Sequence, residues 1–313
     1  MPGFFARSSS LLGLDIGATG IRLLELAGTP DDCTLKSIAR VAYSRIPDGD
    51  EGRDADLISA AIQQAIRQSG SKTRNAAVAI PASASITRTI RLPASLNHDE
   101  LLARVEQEAD HQLPYGLDEL YWDFAINELA PDLPGLIEIV LVASRRDTVE
   151  HRIALAEHAG LRVKVLDVQT YAVENAVLAM NARTGGLPTV CGVLLVNQNT
   201  SWFSLIQTNG ATVTYESGET AANRPEALSQ QLENSLHAHA RAHPGIWPEV
   251  IYVGGEWARS VPDLTTLLDI PVSLVNPLAG MRLADPVRFN PLLADEAPTF
   301  LTACGLALRA FDP

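Results

Sequence analysis

Residues Leu11–Leu26, LLGLDIGATGIRLLEL, decide how this chain is read. Two apolar runs, Leu11–Ile16 and Ile21–Leu26, flank the joint Gly17-Ala18-Thr19-Gly20, the pattern of a β-hairpin with a glycine-rich tip. Gly17 and Gly20 are free to take positive φ and to bring backbone N–H groups close to a phosphate. Thr19 adds a hydroxyl. Asp15, at the end of the first strand, is placed to hold magnesium through water, since that metal keeps several of its waters. The same pattern also suits a tight hairpin in a buried sheet that binds nothing.

Outward from the hairpin, Thr34–Tyr43 reads as a third strand. Leu57, Ile58, Ala61, Ile62, Ala65 and Ile66 then give a helix one apolar face, with Gly70 as its C′ residue. Ala76–Ile80 is a short buried strand stopped by Pro81. This β-β-β-α-β order recurs beyond the boundary at Thr184–Pro188. There Thr189–Val196 and Trp202–Gln207 flank Asn197-Gln198-Asn199-Thr200, and Ala211–Tyr215 follows. A helix runs from Glu226 to Ala242, strand Val250–Val253 ends in Gly254-Gly255, and strand Pro271–Val275 and helix Ala297–Ala310 close the chain. Two facing units of this kind predict a bilobal α/β fold with a ligand cleft between them.

Ser83–Val163 interrupts the plan with a β-α-β-β-α-β section whose last strand, Leu161–Asp167, is expected to return to its first. Ile86–Leu92 alternates strictly, with Ile86, Arg88, Ile90 and Leu92 on one face. Asn97 caps a helix with the stripe Leu101, Leu102, Val105, Ala109 and Leu113; its opposite face, Glu100, Glu106, Glu108 and Asp110, reads as solvated. Strands Leu120–Asn127 and Ile137–Ala143 and a helix Asp147–Ala159 complete the section.

Composition narrows the function classes. The 313 residues carry a net charge of −13 with dispersed arginines, so no nucleic-acid partner is expected. Cys33, Cys191 and Cys304 lack CxxC spacing, which argues against zinc or a disulfide framework and fits a reducing cytoplasm. The opening MPGFFARSSS does not read as a secretory signal, and its Phe4-Phe5 pair reads as a frayed end. His239 and His243 share a helix face without an evident third metal ligand. Trp247 and Trp257 flank the Gly254-Gly255 turn and read as packing residues.

The hairpin DIGATGIRLLEL is similar to the first phosphate loop of the actin–hexokinase superfamily. ITRTIRLP, EADHQLPYGLDELYWDF and IEIVLVASRRDTVEHRIALAEHAGLRVKVLDVQTYAVENA resemble, in order and spacing, the type IV pilus assembly protein PilM family, as does the tail from NPLAG through APTFLTACGLALR. The resemblance implies a bilobal actin-like (ribonuclease-H-like, duplicated) fold with an FtsA-type insertion. Lobe 1 would comprise 11–82 and 164–183, the inserted subdomain 83–163, the lobe 2 core 184–220 and 249–313, and a reduced small subdomain 221–248.

It further implies a cytoplasmic scaffold, peripheral to the inner membrane, in the assembly platform that serves pilus biogenesis and twitching motility. The implied partner is the N-terminal cytoplasmic tail of a PilN-type protein; other platform proteins and the assembly motor ATPase are further partners. The alternation at Ile86–Leu92 offers an edge strand for such a tail, with Ile86, Arg88, Ile90 and Arg91 along it and Arg145 and Arg146 to pair with acidic residues.

In the family's pattern ATP with magnesium lies between the lobes. Asp15, Gly17, Ala18, Thr19 and Gly20 would face the phosphates, with Arg22 where a lysine is more usual, and Gly254 and Gly255 the adenosine. The second loop departs: Asn197 and Asn199 stand where an Asp and a Gly are expected, and Glu216–Val250 is short. Asparagine lacks the negative charge a metal needs, so nucleotide binding stays open, hydrolysis is not expected and no catalytic residue is assigned. The competing reading is an active ATPase or small-molecule kinase, which would need that second carboxylate and a base.

Overall fold

The computed structural model describes residues 10–43, 51–127, 135–186, 188–197, 200–207, 212–219, 225–242, 245–261 and 268–312; Phe4-Phe5, Asn199 and His243 lie outside them. β1 (Leu12–Ile16), β2 (Gly20–Gly28) and β3 (Cys33–Ala42) form an antiparallel meander, α1 (Glu51–Ser69) crosses over, and β4 (Asn75–Ile80) returns parallel to β1. Then come β5 (Ser85–Pro93), α2 (His98–Gln112), β6 (Leu120–Asn127), β7 (Leu136–Arg145), α3 (Arg146–His158), β8 (Arg162–Val168) and α4 (Gln169–Thr184). The second half supplies β9 (Val190–Val196), β10 (Thr200–Gln207), β11 (Thr212–Glu219), α5 (Pro225–Ala242), β12 (Val250–Gly254), β13 (Val272–Leu274), β14 (Arg282–Leu283), α6 (Leu292–Asp295) and α7 (Leu301–Leu308).

Among the described residues three sheets form, ordered β14-β3-β2-β1-β4-β8, β11-β10-β9-β12-β13 and β5-β7-β6. Strand alternation assigns their faces. Leu12, Leu14 and Ile16 of β1 pack on Ala61, Ile62 and Ala65 of α1. Leu24 and Leu26 of β2 meet Val173, Ala176 and Val177 of α4, Phe300 just before α7 and Cys304 within it, and those same helices receive Cys191, Val193 and Leu195 of β9. The other face of β9, Leu194 and Val196, packs on Leu228, Leu232 and Leu236 of α5. The result is five alternating layers, with α4 and α7 shared as the middle one.

The middle layer depends on two absent side chains. A Cβ on Gly13 of β1 would sit 2.0 Å from the Ala303 carbonyl oxygen, and one on Gly305 of α7 would sit 1.6 Å from that of Ala172 in α4. All eight residues of α7 are buried.

Four expectations are corrected. β8 pairs with β4 rather than returning to β5. Leu155, Ala156 and Ala159, in and just after α3, pack in the core beneath α1 rather than within the insertion. Leu102 of α2 is exposed, since the buried stripe advances by four through Leu101, Val105, Ala109 and Leu113. The closing helix is broken into a 3₁₀ turn at Ala297–Phe300, α7, and a second turn at Arg309–Phe311, with Pro298 in the first. The short β14, which carries second-half chain into the first sheet beside Thr34 and Leu35, has no counterpart in the sequence pattern. Asn97 and Glu100 do form a capping box at α2, and Gly70 takes φ +66° after α1.

Glu25 of β2 gathers the hydroxyls of Ser10, Ser37, Ser71 and Thr73. Burial pushes its carboxyl upward, but the bonds from Ser10, Ser71 and Thr73 outweigh it and hold the carboxyl below its ordinary value of 4.5. A depressed folded value contributes stability above the unfolded value, lost as pH falls through the folded one. Glu25→Gln is therefore expected to lower the melting temperature at neutral pH, with the gap to wild type closing below about pH 4; equal gaps at both pH values would contradict this account.

The three cysteines are free and buried. Among the described residues no helix is long and apolar enough to cross a membrane, and no group of three or more metal ligands occurs.

Candidate functional site

The register of the first hairpin sets Asp15 directly opposite Arg22 and Ile16 opposite Ile21. The facing pair becomes an ion pair, Arg22 Nη1 to Asp15 Oδ2 at 3.6 Å. Arg22 Nη2 also donates to Glu256 Oε1 at 3.0 Å, a contact from the first half of the chain to the turn after β12. Side-chain exposures are 1% for Arg22, 12% for Asp15 and 5% for Glu256, so the three charges form a buried carboxylate–guanidinium–carboxylate triad. Charges removed from water in this way are favourable only when paired.

The tip itself is folded inward. The Gly17 N–H donates to the Gly20 carbonyl at 3.0 Å, the Tyr43 N–H donates to Thr19 O at 3.0 Å, and the Tyr43 hydroxyl donates to Gly17 O. Gly17 and Gly20 do not take the positive φ expected of them. They serve close approach: a Cβ on Gly17 would lie 2.8 Å from both Arg22 Nη1 and Glu256 Oε1, and one on Gly20 would lie 2.5 Å from Val41 O. The space reserved at Gly17 thus receives a side-chain ion pair.

A cavity of about 420 Å³ opens here. Asp15, Gly17, Ala18, Arg22, Asn197 and Gly255 line it, together with Tyr43, His151, Arg152 and Glu256, four residues missed in the sequence. Thr19, Gly20 and Gly254 are not on its wall; Gly254 faces Leu301 and Val275. Gly255, at φ +99°, does carry the backbone freedom that glycine provides. Its N–H donates to Pro298 O, while Asn197 Oδ1 accepts from the Glu256 N–H at 3.2 Å. Asn197 therefore holds the turn that presents Glu256.

Arg152 of α3 donates to Ile16 O at 2.9 Å. Burial pushes the Asp15 carboxyl above its ordinary range, against the pull of Arg22 and Arg152. Burial likewise lowers Arg152 and lifts the Tyr43 phenol to about 12. Of the other residues weighed in the sequence, His239 is buried on α5, Trp257 joins the core of the second sheet, and Trp247 is exposed.

A second concavity lies on the insertion. Its sheet order leaves β5 at an edge, and a groove of about 680 Å³ runs between that strand and α2. Thr89, Ile90, Arg91, Leu92 and Pro93 form one wall. The other is a single helical stripe after Leu96: Glu100, Arg104, Glu108 and Gln112. The face read as solvated is thus half groove.

Of the six residues expected there, Ile90 and Arg91 line the groove, while Ile86 packs against the core below. Arg88 is exposed outside the lining, its Nη1 donating to Thr87 O. Arg145 and Arg146 belong to the opposite edge, because β7 ends with Arg145 facing Leu120 of β6. There Arg145 stacks over Tyr115 and pairs with Asp147 at 2.7 Å; Arg146 stacks over Tyr121 and donates to Asp118 O at 2.6 Å.

Comparison with known proteins gives the family. The family model described as type IV pilus assembly protein PilM matches residues 13–216. Among solved structures, the chain superposes on a PilM-PilN type IV pilus biogenesis complex with a TM-score of 0.79 and 23% identity, covering 97% of this chain and 99% of that one. It also superposes on the cytoplasmic domain of EpsL, an inner-membrane component of the type II secretion system of Vibrio cholerae, with a TM-score of 0.50 and 11% identity over 85% and 86%. At these identities the likeness establishes the fold, which is actin-like. The family match takes in the hairpin, the entire insertion and the first strands of the second sheet, and the chain therefore belongs to the type IV pilus assembly protein PilM family.

Proposed function

We propose that this chain is a non-catalytic actin-like scaffold of the type IV pilus platform that holds an extended tail of a PilN-type protein along the outer edge of β5. The observation that carries the reading is the pairing of a sheet edge with a groove against α2. Among the described strands none covers that edge, so its main-chain groups are available to an added strand, while alternate side chains of the tail meet the α2 stripe. The superposed structure is a complex of PilM with PilN, which supports a partner of that type. Through it the scaffold would sit in the cytoplasm, peripheral to the inner membrane.

Arg91 and Arg104 stand on opposite walls of the groove. Each has a partial partner, Arg91 with Glu138 at 3.6 Å and Arg104 with Glu108 at 3.1 Å, and both arginines stay about half exposed. The double variant Arg91→Glu/Arg104→Glu is expected to weaken binding of a fluorescent synthetic PilN-type tail peptide by about tenfold or more, a loss of roughly 1.4 kcal/mol. Unchanged anisotropy titrations in a variant with wild-type melting temperature would sink the groove.

A further inference from the structure

We propose that the interlobe cleft supplies its own anion, the Glu256 carboxylate, and is thereby latched against the magnesium nucleotide that its fold would otherwise accept. A nucleotide there needs a free metal-facing carboxylate, the Gly17 N–H at the hairpin tip and space beside Gly17 for a phosphate. Each of the three is already committed. Asp15 is salt-bridged to Arg22, the cation that would otherwise meet a phosphate oxygen, and Arg22 is bonded in turn to Glu256. The Gly17 N–H is closed onto Gly20 O. Glu256 Oε1 lies 2.8 Å from the position a Gly17 Cβ would take, so a carboxylate oxygen occupies the part of the cavity directly against Gly17.

Glu256 is held there from two sides. Arg22 bonds its side chain, and Asn197 Oδ1 accepts from its N–H. The asparagine that replaces the expected metal-facing aspartate of the second loop has thus become a positioning residue for the inserted anion. Arg22 cannot turn to an incoming phosphate without leaving both Asp15 and Glu256 buried and unpaired, and those two carboxylates would then repel the triphosphate. The two halves of the chain also meet directly beside the cleft. Arg40 pairs with Glu296 at 2.9 Å, Tyr252 bonds Asn181 at 2.9 Å, and β14 pairs with β3.

Calorimetric titration with Mg-ATP, and separately with magnesium pyrophosphate, tests the latch without any partner peptide. Wild type is expected to show no saturable heat into the millimolar range. Glu256→Ala, which frees Arg22 and the space beside Gly17, is expected to bind about tenfold tighter or better. Glu256→Ser also frees Arg22 and clears the space beside Gly17 while keeping a polar side chain on the turn, and serves should the alanine variant fail to fold. Binding by wild type as tight as by either variant overturns the proposal. So does a failure of both variants to bind when each melts at the wild-type temperature, because Glu256 would then not be what excludes the nucleotide.

Discussion

Gly305→Ala is expected to destabilise the protein by about 3 kcal/mol or more, at or beyond the upper end for overpacking a core, because backbone rather than a flexible side chain must yield. The added methyl would stand 1.6 Å from the Ala172 carbonyl oxygen and 2.4 Å from its carbon. α4 and α7 therefore have to separate, and they form the layer on which both large sheets rest. Every residue of α7 is buried, so no exposed turn can absorb the shift. Thermal denaturation followed by circular dichroism should show a midpoint lower by several degrees, or no cooperative transition; an unchanged midpoint would mean that the helices do not approach as described.

The second large effect is expected from Arg22→Met. Methionine fills comparable volume but leaves Asp15 and Glu256 buried with no guanidinium between them, which typically costs about 3–5 kcal/mol. The cost should depend on pH. With Arg22 gone, the Asp15 carboxyl, already pushed up by burial, loses the guanidinium that pulls it down, so the stability it allows is full below its unfolded value, about 4, and is lost as pH rises through the raised one. The gap in melting temperature between variant and wild type should thus be widest near neutrality and shrink on acidification. Adding Asp15→Asn and Glu256→Gln should restore most of the stability, since a whole ionic cluster can be replaced by neutral residues of similar shape at little net cost. A gap that ignores pH, or a triple variant no better than the single, would show that the guanidinium matters for packing alone.

Two members of this triad are legible in the sequence and the third is not. Once Gly17–Gly20 is taken as the tip, strand pairing places Asp15 against Arg22 without any structure. Glu256 is 234 positions from Arg22, and no local pattern links them. Its only signal is a charged residue directly after two glycines at the end of a buried strand. The layers were similarly legible where periodicity is long, as in β1, α1 and β9. β14 is two residues, too short for any period. Arg145 and Arg146 were misplaced for a related reason: the alternation of β7 gives their spacing but not which neighbouring strand they follow. The groove wall on α2 hid behind its charges, because Glu100, Arg104 and Glu108 have the spacing of an ordinary solvated face.

The fit of α7 against Gly13 bears on when the chain can finish folding. β1 leaves the ribosome long before the helix that covers its Gly13 face, which comes from residues 301–308. At about 5–20 residues per second, roughly a quarter of a minute to a minute separates the two on the ribosome. During that interval the apolar face of β2, and that of α4 from its own synthesis onward, wait without their cover. A nascent first half should therefore be a client of holding chaperones, and release from them should coincide with arrival of α7.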